Sequence, residues 1–103
     1  MKEAARIFRA LADPTRRQIL QELKEGELSA GAIASRFEIS APSISRHLAI
    51  LRAADLVTER RDSNRIFYRL EPERLALCLS DFLSGVCPTQ IVQRKRIAKR
   101  RTS

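Results

Sequence analysis

The stretch "ISAPSISRHLAIL", residues 39–51, decides how this chain is read. Ile44, Leu48 and Leu51 recur at helical spacing, with three serines, a proline, an arginine and the only histidine of the sequence set around them. At about 100° per residue, Leu48 and Leu51 fall within about 40° of Ile44, on the side a core would cover. The opposite side carries Pro42, Ser43, Arg46 and Ala49, with Ile50 less centrally and Ser45 and His47 on the flanks. Ser40 is a good N-cap and Pro42 falls in the first turn, so the helix runs to about Ala54. Serine is a mediocre helix former, and capping explains only Ser40. Short hydrogen-bonding side chains beside an arginine suit the edge of a DNA major groove. Ala41 and Pro42 let the helix end approach closely, and its free amides favour a phosphate. The plainer alternative is a solvated face on an ordinary core helix.

The flanking segments place this helix in a domain. "EAARIFRALA" puts Ala4, Phe8, Leu11 and Ala12 on one side of a helix over residues 3–12. Asp13 then caps a second helix opened by Pro14, with Ile19, Leu20 and Leu23 as its apolar stripe and Gly26 as its stop. Ser29 caps a third, over residues 30–37, that turns Ile33, Ala34 and Phe37 inward. Beyond residue 54 the period changes to that of strands: Leu56–Arg60 and Arg65–Leu70 are joined by "RDSN" in a two-stranded hairpin. Arg60, Arg61 and Arg65 surround its tip, where they suit a minor groove or a phosphate backbone. Strand alternation sets Ile66 and Tyr68 against Phe67 and Arg69, so one aromatic face docks on the core. A final helix begins at Pro72, with Leu75, Leu79, Phe82 and Leu83 apolar, and ends at Gly85 and Pro88. Short helices followed by a hairpin form a winged helix-turn-helix, mainly α with a small β element.

With 103 residues, 44% of them hydrophobic, the chain makes one globular domain, small enough that dimerisation would help its core. The net charge of +8 is uneven. Residues 88–103 carry six basic residues and no acid, which leaves 14 basic against 12 acidic residues in positions 1–87. A nearly neutral body, 1–87, thus precedes a basic tail, 88–103, that either frays as a helix or stays disordered. That balance suits a polyanion, double-stranded DNA above all, although a solvated end is the plain alternative. No apolar run reaches the roughly 20 residues of a membrane span, and the amphipathic N-terminus is unlike a signal peptide, so a cytoplasmic location is expected.

The pieces "ADPTRRQIL", "AIASRFEISAPSISRHLAILRAADLV" and the hairpin together resemble the ArsR/SmtB family of bacterial winged helix-turn-helix repressors, over roughly residues 7–75. The "SAPSIS" run looks closest to the SdpR-like autorepressors of that family. The resemblance implies a homodimer joined through its terminal helices. It also implies binding to an inverted repeat, release by an effector, and DNA contact through Ser43, Ser45 and Arg46. Two metal sites of the family are missing. "GELSAGAI" holds no cysteine where many members have a pair, and the last helix holds no histidine. A borderline metal needs about four N or S ligands, so no cofactor is expected.

Cys78 and Cys87 would lie about 13 Å apart on one helix, beyond the roughly 7 Å that a disulfide spans. Cys78 falls in the apolar stripe, whereas Cys87 is expected to be exposed and reactive. Across a dimer the two could make a thiol-based redox switch or a soft-metal site, an alternative mode of control. His47, alone on a helix boundary, fits a packed or phosphate-bonded side chain better than a ligand. A single histidine, three glycines and the absence of any supported nucleophile–base spacing argue against an enzyme. Two further readings are a non-specific architectural DNA-binding protein and a protein-interaction module.

Overall fold

Five helices and three strands follow one another in the computed structural model, which describes residues 2–88. Their order is α1 (Lys2–Leu11), α2 (Pro14–Glu22), a 3-10 turn (Leu23–Glu25), β1 (Leu28–Ser29), α3 (Ala30–Ala34), α4 (Ala41–Ala53), β2 (Val57–Asp62), β3 (Arg65–Leu70) and α5 (Pro72–Val86). The basic tail expected over 88–103 lies, beyond Pro88, outside the described residues.

The three expected caps are in place. The Asp13 carboxylate accepts from the amides of Thr15 (2.8 Å) and Arg16 (3.2 Å). Ser29 Oγ accepts from Ala32 N at 3.1 Å, and Ser40 Oγ from Ser43 N at 3.3 Å. Each cap satisfies amides that have no partner inside their helix. Helix α4 ends in a Schellman arrangement: Leu56 N donates to Leu51 O at 3.0 Å and Asp55 N to Arg52 O at 2.9 Å. Asp55 takes the left-handed position usually given to glycine, at φ 59°, a conformation that aspartate tolerates better than most residues.

The structure departs from expectation in four places. Helix α3 is shorter than residues 30–37, because Arg36 N and Phe37 N bond back only three residues, to Ile33 O and Ala34 O. That tightening still packs Phe37 against the core. The sheet has a third strand, in the order β1-β3-β2, with Leu28 opposite Tyr68 and Ser29 opposite Phe67. In the hairpin, Arg61 and Asp62 belong to β2, and only Ser63 and Asn64 form the turn, Ser63 at φ 58°. In α1 the buried side chains are Ile7 and Ala10, while Phe8 is turned to the surface and meets Phe82 edge-on at 5.1 Å.

The core joins α1, α2, α3, α4 and the root of the wing. Ile19, Ile33, Leu51 and Leu56 are wholly enclosed, and Ile7, Leu20, Leu23, Ile44, Leu48 and Val57 nearly so. The Tyr68 and Leu70 face of β3 packs against this core, as alternation requires. Helix α5 contributes only Leu75 and Cys78 to it, and none of its residues is fully buried. Leu77, Phe82, Leu83 and Val86 therefore remain exposed.

Candidate nucleic-acid interface

Helix α4 presents its N-terminal end outward because its other side is pinned by Ile44, Leu48 and Leu51, each no more than 2% exposed. Ser40, Ala41, Pro42, Ser45 and Arg46 are exposed. Ser40 and Ser43 are tied together at the cap, the Ser40 hydroxyl donating to Ser43 Oγ at 2.9 Å. Ser43 thus has the local role that sequence reading did not find for it. Neither Ser45 nor Arg46 has a hydrogen-bond or ion-pair partner among the described residues. An uncommitted serine and guanidinium beside a helix N-terminus, where the backbone dipole is positive, make a surface suited to an anionic, hydrogen-bonding partner.

His47 stands apart from this group. It is half-buried, with Nδ1 3.3 Å from Arg16 Nη1. The same guanidinium donates through Nε to Ala10 O and through Nη2 to Arg9 O, both at 2.8 Å. Arg17 Nη1 adds a bond to Leu11 O at 2.7 Å, so two arginines of α2 satisfy the last carbonyls of α1. Desolvation pushes the nearby Asp13 carboxyl up, but the amides of Arg16 and Thr15, with the charge of Arg16, hold it below its ordinary value. The Arg16–His47 contact joins residues 31 positions apart. No local pattern signals it, and Arg16 was not among the expected site residues.

The wing arginines divide into two kinds. Arg60 grips Glu27 with two bonds (Nη2–Oε1 2.6 Å, Nε–Oε2 3.2 Å) and lies over the Phe67 ring, 4.6 Å from its centroid. The Arg60 hydrogen bond holds the Glu27 carboxyl below its ordinary value, against the opposing effect of desolvation. Arg65 rests on the same ring at 5.1 Å without a carboxylate partner, and Arg61 is exposed with no ion pair among the described residues. Arg36 pairs with Glu22 at 2.6 Å and Arg52 with Glu59 at 2.7 Å, which withdraws both from the uncommitted positive surface. Among the described residues, the arginines of α4 and the hairpin without a carboxylate partner are thus Arg46, Arg61 and Arg65.

Cys78 and Cys87 are both free thiols and both half-buried, so Cys87 is less open than expected. Cys78 lines a groove of about 500 Å³ between α1 and α5, with Ile7, Phe8, Leu77 and Phe82 among its neighbours. The described residues hold no group of three or more His, Cys, Asp or Glu able to take a metal ion. They also hold no helix long and apolar enough to cross a membrane.

Comparison with known proteins places these features in context. Residues 11–60 match a family model described as a helix-turn-helix domain. The transcriptional repressor SdpR of Bacillus subtilis is 50% identical over 64 residues, 62% of this chain and 71% of that protein. The regulator KmtR of Mycobacterium tuberculosis is 48% identical over 75 residues, 73% of this chain and 58% of that one. Among solved structures, an ArsR-like transcriptional regulator from a Rhodococcus species superposes with a TM-score of 0.73 at 31% identity, over 98% of this chain and 92% of that one.

Proposed function

This chain belongs to the ArsR family of winged helix-turn-helix transcriptional regulators, and from that premise we propose that it is a homodimeric repressor reading an inverted-repeat operator. The observation that carries the proposal is the state of Ser45 and Arg46: exposed and uncommitted, on a helix whose opposite side is locked into the core. In this reading α4 enters the major groove N-terminus first, as second helices of such motifs do. Arg46 reads a base edge or grips a phosphate, and Ser45 hydrogen-bonds beside it. Ser40, Ala41, Pro42 and Ser43 form the close-approaching helix end. Arg61 and Arg65 carry the wing onto the adjoining backbone, while Arg60 stiffens the wing from within.

The exposed side chains of α5 and Phe8 of α1 support the second half of the proposal, since an apolar stripe on terminal helices suits a two-fold partner. Residues 1–87 then act as one DNA-binding and dimerisation unit in the cytoplasm. The basic segment 88–103 adds attraction for the duplex that is independent of sequence. An effector would act by changing the separation of the two recognition helices through the terminal-helix interface. Cys78, packed on the core, fits a small apolar residue of that interface.

Footprinting on duplexes selected from a random pool tests the proposal. The expected result is dyad-symmetric protection of two half-sites about 34 Å apart. Arg46→Ala should weaken operator binding by about 1–3 kcal/mol and relax preference at one base position. Protection of a single half-site, or an Arg46→Ala protein with unaltered preference, would refute it.

A further inference from the structure

We infer that Arg16 is the positioning residue that aims the recognition helix; the inference rests on the repressor reading of α4. Its side chain ties three helices together. It grows from the first turn of α2, donates to Ala10 O and Arg9 O at the end of α1, and reaches His47 Nδ1 on α4 at 3.3 Å. The carbonyl end of α1 is the negative end of its dipole and suits a cation.

A guanidinium has five donors and no acceptor. The contact with His47 is a hydrogen bond when Nδ1 accepts, that is, with the ring proton on Nε2. The bond also supplies what apolar packing lacks. Ile44, Leu48 and Leu51 hold one side of α4 in the core, but hydrophobic contact is non-directional and tolerates small rotations about the helix axis. A directional bond to His47 sets that rotation. Arg46 and Ser45, one and two residues away, have their directions set with it. Because the other two bonds of Arg16 end on α1, the aim of α4 is fixed relative to a terminal helix that the dimer would share.

The test measures binding to an operator and to random duplex in parallel, alongside nitrogen NMR of the His47 ring. Arg16→Ala and Arg16→Lys should lower the operator-to-random preference about tenfold, the size of one hydrogen bond to a charged group. Binding to random DNA should hold, whereas a fall in the folded fraction would weaken both alike. His47→Asn, which can keep an acceptor where Nδ1 sits, should retain the preference better than His47→Gln, whose amide mimics Nε2. The ring should carry its proton on Nε2 in the wild type, and its Nδ1 resonance should shift when Arg16→Ala removes the donor facing it. An Nδ1-protonated ring, an unchanged preference in the Arg16 variants, or rescue by Gln instead of Asn overturns the inference. A wild type with the expected tautomer but no operator preference would instead refute the repressor reading and, with it, the aiming role.

Discussion

Phe82 is the side chain on which the proposed dimer can be weighed. It is 49% exposed, and among the described residues its aromatic neighbour is Phe8 of the same chain, itself 37% exposed. A phenylalanine offers about 200 Å² of surface, so about 100 Å² of Phe82 is left for a partner to cover. At about 25 cal/mol per Å² that is about 2.5 kcal/mol in each protomer. A two-fold interface uses the residue twice, giving about 5 kcal/mol. Truncation to alanine leaves part of that surface covered, so Phe82→Ala should weaken the dimer by about 2–4 kcal/mol, or roughly 30- to 1000-fold in dissociation constant. The change should not unfold the protomer, because Phe82 is outside the buried cluster. Sedimentation velocity over a dilution series reads the constant directly, with circular dichroism to confirm the fold. Operator binding should become steeply dependent on protein concentration in the variant. An unchanged dissociation constant, or a wild type that is monomeric throughout the series, would refute the reasoning that the α1/α5 face is the shared one.

Two further outcomes follow from the charges. Arg60 is already neutralised by Glu27, whereas Arg61 has no ion pair among the described residues. Arg61→Ala should therefore lower the salt slope of DNA binding by about one and Arg60→Ala by much less, a contrast that titrations at several salt concentrations would reverse if Arg60 were the phosphate contact. The second concerns acid. Folding holds the carboxyls of Asp13, Glu22 and Glu27 below their ordinary values; for Glu22 the main cause is the hydrogen bond from Arg36. Groups depressed on folding lend stability above their unfolded values and lose it as pH falls through the folded ones. Thermal melts should show falling stability from about pH 5 downward, with a smaller fall in Glu27→Gln; a melting temperature flat through that range would contradict it.

The legible parts of this protein are those in which cause and effect lie within one helical turn or one hairpin. Asp13, Ser29 and Ser40 announce their helices because a cap bonds an amide two or three residues on. Ile44, Leu48 and Leu51 announce the buried side of α4 because helical geometry alone puts them together. The hairpin is marked by its turn residues, although β2 runs two residues closer to the tip than composition suggests, since backbone pairing continues through Arg61 and Asp62.

Other features depend on partners far along the chain, and no local pattern carries them. Strand β1 is two residues long and exists because β3, some 40 positions later, offers an open edge. Phe8 turns outward because Ile7 and Ala10 fit the core better once α2 and α4 have closed over α1. Residues of like appearance receive different tasks in the same way. Arg46 stays uncommitted, Arg60 is consumed by Glu27, and Arg16 binds His47 across 31 positions. The residue order by itself settled the helices, the wing and the polar end of α4, because short-range bonds and periodicity act before the chain is packed. Only the packed molecule decided which cations remain free for DNA, because a charge is spent or spared by whatever long-range folding brings within about 4 Å of it.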